Sequence, residues 1–270
     1  MKACAFEYAR AGDVAEAVRL LAAGGDKAMP MAGMQSLGPM LNLRMVQPSL
    51  LVDLRHIEEL RATQESVEAV TLGACVTHAE IEDGRVPDPA RGLMREVASN
   101  IAYRAVRNRG TIGGSLAHAD PAADWTSALT LLGATALIAG PAGRRETPVE
   151  NFITGVFETA LKPGELLVGV RVPKLSAGAR RGYWKFCRKT GEFPQAIGGA
   201  LDDPERGTRR LIIGVTRGAP YVVADARALI AKPDEAALLA AAGNAGLGDD
   251  PYSRRLHAVA LRRAIARLAA

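Results

Sequence analysis

Ala32-Gly33-Met34-Gln35-Ser36-Leu37-Gly38-Pro39 and, much further along, Asn108-Arg109-Gly110-Thr111-Ile112-Gly113-Gly114-Ser115 are the two segments from which the rest of this 270-residue chain is best understood. In the first, a glycine gives the backbone access to φ > 0 and to close approach by a ligand. Successive N–H groups in such a turn form an anion-binding nest. Gln35 and Ser36 add side-chain donors, and a helix starting just beyond them would add the partial positive charge of its N-terminus. The second segment repeats the logic: Thr111 and Ser115 supply hydroxyls, and Gly113-Gly114 supply bare backbone. Together the two suit a diphosphate without any lysine. Neither matches G-x-G-x-x-G or G-x-x-x-x-G-K-[ST], which disfavours ordinary Rossmann binding and P-loop phosphoryl transfer. The plainer alternative is that both are connectors between strands and helices.

Working outward from the first turn, Asp13 opens a helix with Glu16 as capping-box partner and Val14, Ala17, Val18 and Leu21 as its apolar stripe, stopped by Gly24-Gly25. Lys27–Met31 reads as a strand, Met40–Met45 as a helix up to Pro48, and Leu50–Leu54 as a second strand. Around the second turn, Val67–Leu72 reads as a strand, and Thr77 and Asp88 each start a helix. Asp120-Pro121 starts another, with Asp at the cap and Pro at the first helical position, and Trp125, Leu129 and Leu132 share its apolar face. Asp120 and Asp124 are acceptors for a ribose or an adenine amine, although Asp120 reads equally well as a helix cap alone.

Ala134–Ala139 and Leu166–Val172 are further strands, and the small and polar segment Lys174–Gly182 marks a boundary. Beyond it Tyr183–Arg188, Gln195–Leu201 and Leu211–Thr216 read as strands, and Asp225–Ile230 and Glu235–Ala242 as helices. A last helix, Tyr252–Leu268, puts Leu256, Ala260, Leu261, Ala264, Ile265 and Leu268 on one face and Arg255, Arg262 and Arg263 on the other. Sheets with segregated helices point to an α+β fold.

Composition narrows the function classes. Hydrophobic residues make up 48% and charged residues 23% of the chain, a globular profile. No apolar run approaches the roughly 20 residues of a membrane helix, and Met1–Arg10 lacks an apolar signal core, so the cytoplasm is the expected compartment. The net charge of +5 is spread out, and five Phe and five Tyr offer little base stacking, which argues against nucleic acid. Cys4, Cys75 and Cys187 form no metal-binding spacing and read as free, mostly buried thiols; the chain cannot hold an iron–sulfur cluster on four cysteines of its own. The four histidines form no i, i+4 pair, so no metal site is expected.

Ala32-Gly33-Met34-Gln35-Ser36-Leu37 resembles the A-G-G-x-S-L segment of the FAD-binding medium subunits of molybdenum hydroxylases, the group of aerobic carbon monoxide dehydrogenase and the xanthine dehydrogenase flavin domain. Thr111-Ile112-Gly113-Gly114-Ser115 and Asp120-Pro121-Ala122-Ala123-Asp124 resemble its T-I-G-G-N and D-P-x-x-D segments. Val52-Asp53-Leu54, Gly164-Glu165-Leu166-Leu167, and Tyr183-Trp184-Lys185-Phe186 through Gly191-Glu192-Phe193 also match in order and spacing. The resemblance covers nearly the whole chain. It implies a two-lobed PCMH-type FAD-binding domain over residues 1–176, with lobes of about 1–55 and 56–176, and a smaller C-terminal domain of antiparallel sheet plus helices over 177–270.

It further implies that Ala32, Gly33, Met34, Gln35 and Ser36 hold the FAD pyrophosphate, and that Thr111, Ile112, Gly113, Gly114 and Ser115 hold pyrophosphate and ribityl oxygens. Ile101 would line the flavin pocket, Asp124 would bind the adenosine part, and Leu167 and Lys185 would contact the cofactor from the other side. Phe193 would stand next to the isoalloxazine ring. No catalytic acid or base is implied. The implied partners are a large molybdopterin-binding subunit and a small subunit with two [2Fe–2S] clusters, in a dimer of heterotrimers. Electrons would pass to a quinone, NAD or oxygen, and a peripheral position at the inner face of the membrane stays open.

Three positions depart from the pattern. Met34 replaces a second glycine, compatible with N–H donation if its φ is negative; Ser115 replaces an Asn and Glu192 an Asp. Two rival readings remain: a free-standing flavin oxidoreductase of the same fold, which needs a proton donor near the flavin, and a non-enzymatic binding module. Arg104, Arg107 and Arg109 are open to a partner subunit, to the pyrophosphate, or simply to solvent.

Overall fold

A computed structural model describes residues 2–269; Met1 and Ala270, the outermost residues of the two expected domains, lie outside the described residues. The chain enters through β1 (Glu7–Arg10) and turns at Asp13, whose carboxylate accepts the Glu16 N–H at 2.7 Å and caps α1 (Val14–Gly24). The expected capping box is only half made. Glu16 reaches past Asp13 and accepts the Gly12 N–H at 2.8 Å instead. The stripe Val14, Ala17, Val18 and Leu21 is buried against a small parallel sheet, which β2 (Ala28–Met31) and β3 (Leu50–Asp53) complete in the order β1-β3-β2. Between these strands lies α2 (Leu37–Asn42). It starts directly after Ser36, ahead of the expected Met40, because Pro39 sits in its first turn, where a missing N–H breaks no helical bond. At the end of β3, buried Asp53 accepts from Arg55 and from the Tyr8 hydroxyl. Burial works to raise its pKa, but these bonds outweigh it and hold the carboxyl well below the usual carboxylate range.

The middle of the chain builds a five-stranded antiparallel sheet and the helices that cover it. In chain order these are α3 (Glu58–Arg61), β4 (Thr63–Glu65), β5 (Ala69–Gly73), α4 (His78–Glu82), α5 (Leu93–Ser99), α6 (Arg104–Arg107), α7 (Ile112–His118), α8 (Asp124–Leu131), β6 (Thr135–Gly140), β7 (Gly143–Pro148), α9 (Val149–Phe152), the short hairpin β8 (Ile153–Gly155) and β9 (Glu158–Thr159), and β10 (Leu166–Pro173). The sheet order is β4-β5-β10-β6-β7. Thr77 and Glu80 close a full capping box on α4.

Three expectations shift here. Val67 lies 92% exposed in a turn, so the strand begins at Ala69. Asp88 folds its carboxylate onto the N–H groups of Ala90 and Gly92, and the helix waits until Leu93, after Gly92 in the left-handed region at φ 88°. Asp120 likewise accepts the Ala122 N–H, and α8 starts only at Asp124. In both cases the Asp forms an Asx turn rather than a helix cap. α8 is also buried on every side, not on the single face of Trp125, Leu129 and Leu132, because the C-terminal sheet packs on its far side.

That sheet runs β11 (Arg180–Phe186), β12 (Ala196–Asp203), β13 (Thr208–Gly214) and β14 (Tyr221–Val222), antiparallel and in chain order. β11 begins inside the expected boundary segment. α10 (Ala226–Ala231), α11 (Glu235–Gly243) and α12 (Pro251–Ala266) cover its outer face. Gly182 and Gly198 let α12 sit close: a Cβ on either would lie within 2.5 Å of the Ala264 or Ala260 backbone. On the helix's outer side Arg263 is not merely solvated but stacks 4.6 Å above the Trp184 ring. The architecture is α+β, with the parallel and antiparallel sheets side by side and a third sheet behind α8. Among the described residues no helix is long and apolar enough to cross a membrane.

Candidate functional site

A cleft of about 480 Å³ opens where the three sheets' surroundings meet, a size typical of small-molecule sites. Its walls include Ala32, Gly33, Met34, Gln35 and Ser36 from the loop after β2, Thr111, Gly113, Gly114 and Ser115 from the start of α7, and Ile101, Asp124, Leu167, Lys185 and Phe193. The two glycine segments are therefore neighbours on one cavity. Ile112 is the exception: its side chain is fully buried in the main core and does not reach the cleft, because it points inward from the first turn of α7.

The glycines do different work from one another. A Cβ on Gly33 would lie 2.2 Å from the Arg109 carbonyl and 2.8 Å from the Gly110 Cα, so this glycine is needed where the first segment packs onto the second. Gly113 meets Ala74 in the same way, at 2.4 Å. Gly114 is exposed to the cleft, and a Cβ there would meet only the Thr111 hydroxyl at 2.7 Å. Met34 takes φ +63°, not the negative value expected to keep its N–H available; the left-handed geometry costs about 1–2 kcal/mol, and the N–H still has no protein acceptor among the described residues.

Hydrogen bonding separates the segments further. Among the described residues, the N–H groups of Met34, Gln35 and Ser36 donate to no protein acceptor, and the Gln35 amide folds back onto the Gly33 carbonyl at 3.0 Å. The second segment is not a loose turn but the capped first turn of α7. Ile112 N–H donates to Val76 O, Gly113 N–H to Ala74 O, and Gly114 N–H to Thr111 Oγ1. What it leaves to the cleft is the bare Gly114 backbone and the Ser115 side chain. Free donors are thus concentrated at residues 34–36.

The opposite wall is a charged knot between α8 and β11. Lys185 Nζ donates at 2.8 Å to both Asp124 Oδ2 and the Asn100 carbonyl, and the Tyr183 hydroxyl donates to Asp124 Oδ1 at 3.1 Å. Burial pushes the Asp124 carboxyl above its ordinary range, against the pull of Lys185 and Tyr183. Leu167 is aimed at the cleft beside a register shift in β10 between Leu167 and Gly169. Phe193 is 67% exposed at the rim, near Tyr103, whose ring lies across Gly191.

Arg107 and Arg104 are committed elsewhere. Arg107 is nearly buried, forks onto Glu82 and holds the carbonyls of Ile101 and Ala102. Arg104 pairs with Glu82 and Asp83, and Arg109 is exposed.

Among the wall residues that escaped the sequence reading are Cys75, buried and with its thiol pushed up to about 12 by burial, and His78, also buried. Only the capping box beginning at Thr77 hinted that His78 occupies a fixed place. Cys4 and Cys187 are free and half-buried.

Comparison with known proteins fits this site. The family model described as "FAD binding domain in molybdopterin dehydrogenase" matches residues 4–175. The chain is 38% identical to the 6-hydroxypseudooxynicotine dehydrogenase complex subunit alpha of Paenarthrobacter nicotinovorans, over 82% of this chain and 76% of that protein. It is 33% identical to the carbon monoxide dehydrogenase medium chain of Afipia carboxidovorans, over 97% and 96% of the two chains. The solved structure of reconstituted CO dehydrogenase from Oligotropha carboxidovorans superposes with a TM-score of 0.89 at 30% identity, covering 99% of each chain. The chain belongs to the family of FAD-binding domains of molybdopterin dehydrogenases, the flavin-carrying subunits of molybdenum-containing oxidoreductases.

Proposed function

We propose that the cleft holds FAD across both glycine segments and that the chain relays electrons within a larger molybdenum dehydrogenase. The observation that carries this is the convergence of two sequence-distant segments on one cavity, with free N–H donors at residues 34–36 and bare backbone at Gly114. A diphosphate needs such donors and no side chain in its way. Ala32–Ser36 would take the pyrophosphate, Thr111 to Ser115 would border it and the ribityl oxygens through Gly114 and Ser115, and Ile112 would contribute only by seating α7. Ile101, Leu167 and Phe193 offer apolar surface to a ring system. Asp124 and Lys185 act as a unit in which the carboxylate holds the ammonium, so the two would meet the cofactor from one wall and not, as the resemblance implied, from different sides.

FAD, when bound, exchanges single electrons with iron–sulfur clusters and pairs of electrons with an acceptor, so it suits a relay. The chain's part is to bind, orient and shield it; no side chain here is assigned a proton-transfer role. We place two [2Fe–2S] clusters on a small partner subunit and the molybdopterin cofactor on a large one, where substrate is oxidised, in a dimer of heterotrimers. The acceptor would be a quinone, NAD or oxygen, and the compartment the cytoplasm. We also divide the chain into a FAD-binding domain at 1–176, with lobes near 1–55 and 56–176, and a C-terminal domain at 177–270. The family match ending at 175 and the new sheet opening at Arg180 support that division.

Purification from the native host tests the assignment. Recovery of one FAD per chain together with a molybdenum and an iron–sulfur subunit is expected. A flavin-loaded chain that purifies alone and turns over a substrate by itself would instead favour the free-standing oxidoreductase.

A further inference from the structure

His78 begins α4 and borders the cleft, yet its side chain is only 5% exposed. Its main chain is tied to the second glycine segment, since His78 N–H donates to the Gly110 carbonyl at 2.9 Å. The ring lies directly beneath that segment: a Cβ on Gly110 would come within 2.8 Å of His78 Nε2. On the far side, Trp125 Nε1 meets His78 Nδ1 at 3.1 Å, in the interior. An indole N–H can only donate, so Nδ1 must accept. The proton of the neutral ring is therefore on Nε2, and among the described residues no hydrogen bond from Nε2 to the protein is found. Burial and the neighbouring Arg107 both keep the ring uncharged, pushing its pKa down to about 4. A donor fixed in direction on a cleft wall and left without a protein partner is open to a ligand's acceptor.

We propose that His78 is a further cofactor-binding residue, with its Nε2–H, oriented by Trp125, donating a hydrogen bond to an acceptor atom of FAD in the cleft. This rests on the FAD reading above and adds a side-chain donor from outside the two glycine segments. Trp125 is then a positioning residue, since it sets which ring nitrogen carries the proton.

The test uses the full chain with 15N-labelled histidine and FAD as the probe. Long-range proton–nitrogen spectra are expected to show His78 as the Nε2–H form in the free chain. On saturation with FAD its Nε2–H signal should shift and exchange more slowly, while His56 and His257, which lie away from the cleft, should not respond. A Nδ1–H form, or a signal unmoved when flavin fluorescence shows saturation, overturns the proposal.

In binding titrations His78→Phe should weaken FAD affinity by roughly tenfold or more, and His78→Gln, which keeps an N–H near Nε2, should restore most of it. Equal affinity of a folded His78→Phe chain and the wild type also overturns it. Failure of the wild-type chain to bind FAD at all overturns the cofactor reading itself, and this contact with it.

Discussion

Gly33 and Gly114 look alike in the sequence, but the structure gives them opposite duties, and substitutions separate them. Gly33→Ala drives a Cβ into the Arg109 carbonyl at 2.2 Å. The two segments must then part, and a loss of about 2–3 kcal/mol in urea unfolding is expected, by analogy with overpacking of a tight interior contact. Gly114→Asp faces the cleft, so the fold should survive, with a circular dichroism spectrum like that of the wild type. FAD affinity should fall at least about a hundredfold, because a carboxylate would stand a few ångströms from the diphosphate. Normal flavin content in that folded variant would remove the second segment from the site. Met34 shows the limit of reading residues one at a time. Its identity suggested a negative φ, while the surrounding loop imposes +63°; backbone geometry followed the motif rather than the side chain.

At the scale of elements, hydrophobic pattern and Pro and Gly punctuation located most strands and helices, and two of the misplaced helix starts share one cause. Asp88 and Asp120 read as helix starts in the sequence, but whether such a carboxylate caps a helix or closes an Asx turn depends on where the following backbone is pulled, here to Leu93 and Asp124. α8 was legible as a helix but not as a fully buried one, since its second neighbour is a sheet formed about 70 residues later, a long-range packing that local periodicity cannot report. The same helix carries Asp124 to Lys185 on β11. Lys185→Met would strand a buried carboxyl, and a loss of about 3 kcal/mol is expected in chemical denaturation. Because Asp124 is already raised above its unfolded value, its folded form binds the extra proton, so this variant should regain stability as pH falls. Asp124→Asn combined with Lys185→Met should recover most of the loss. A double variant no more stable than Lys185→Met alone would show that the pair does not act as a unit.

For the whole molecule, the candidate site was largely visible in advance as two motifs and their flanking contacts, because diphosphate binding is written in glycine and hydroxyl residues at short spacing. Its completion by His78 and Cys75 was not: Cys75 read as a buried thiol but not as a wall residue, and the burial of His78 arises from the way the sheets close around the cleft. That burial has a global consequence. The unfolded chain protonates His78 near pH 6.5, whereas the folded chain does so only near pH 4. The stability it lends is complete above pH 6.5 and drains away as pH drops towards 4, by on the order of 3 kcal/mol. His257, lowered by its own burial, adds in the same direction. Urea unfolding from pH 7 to 4.5 should show this slope, flattened in His78→Gln; equal slopes in the two chains would mean that the ring is protonated in the native state.

The most direct measurement is a crystal structure of the full chain grown with FAD. The account expects one FAD per chain, its diphosphate within hydrogen-bond distance of the N–H groups of residues 34–36 and its other side against Gly114 and Ser115. FAD seated elsewhere, or a cleft left without it at saturating concentration, would contradict the account.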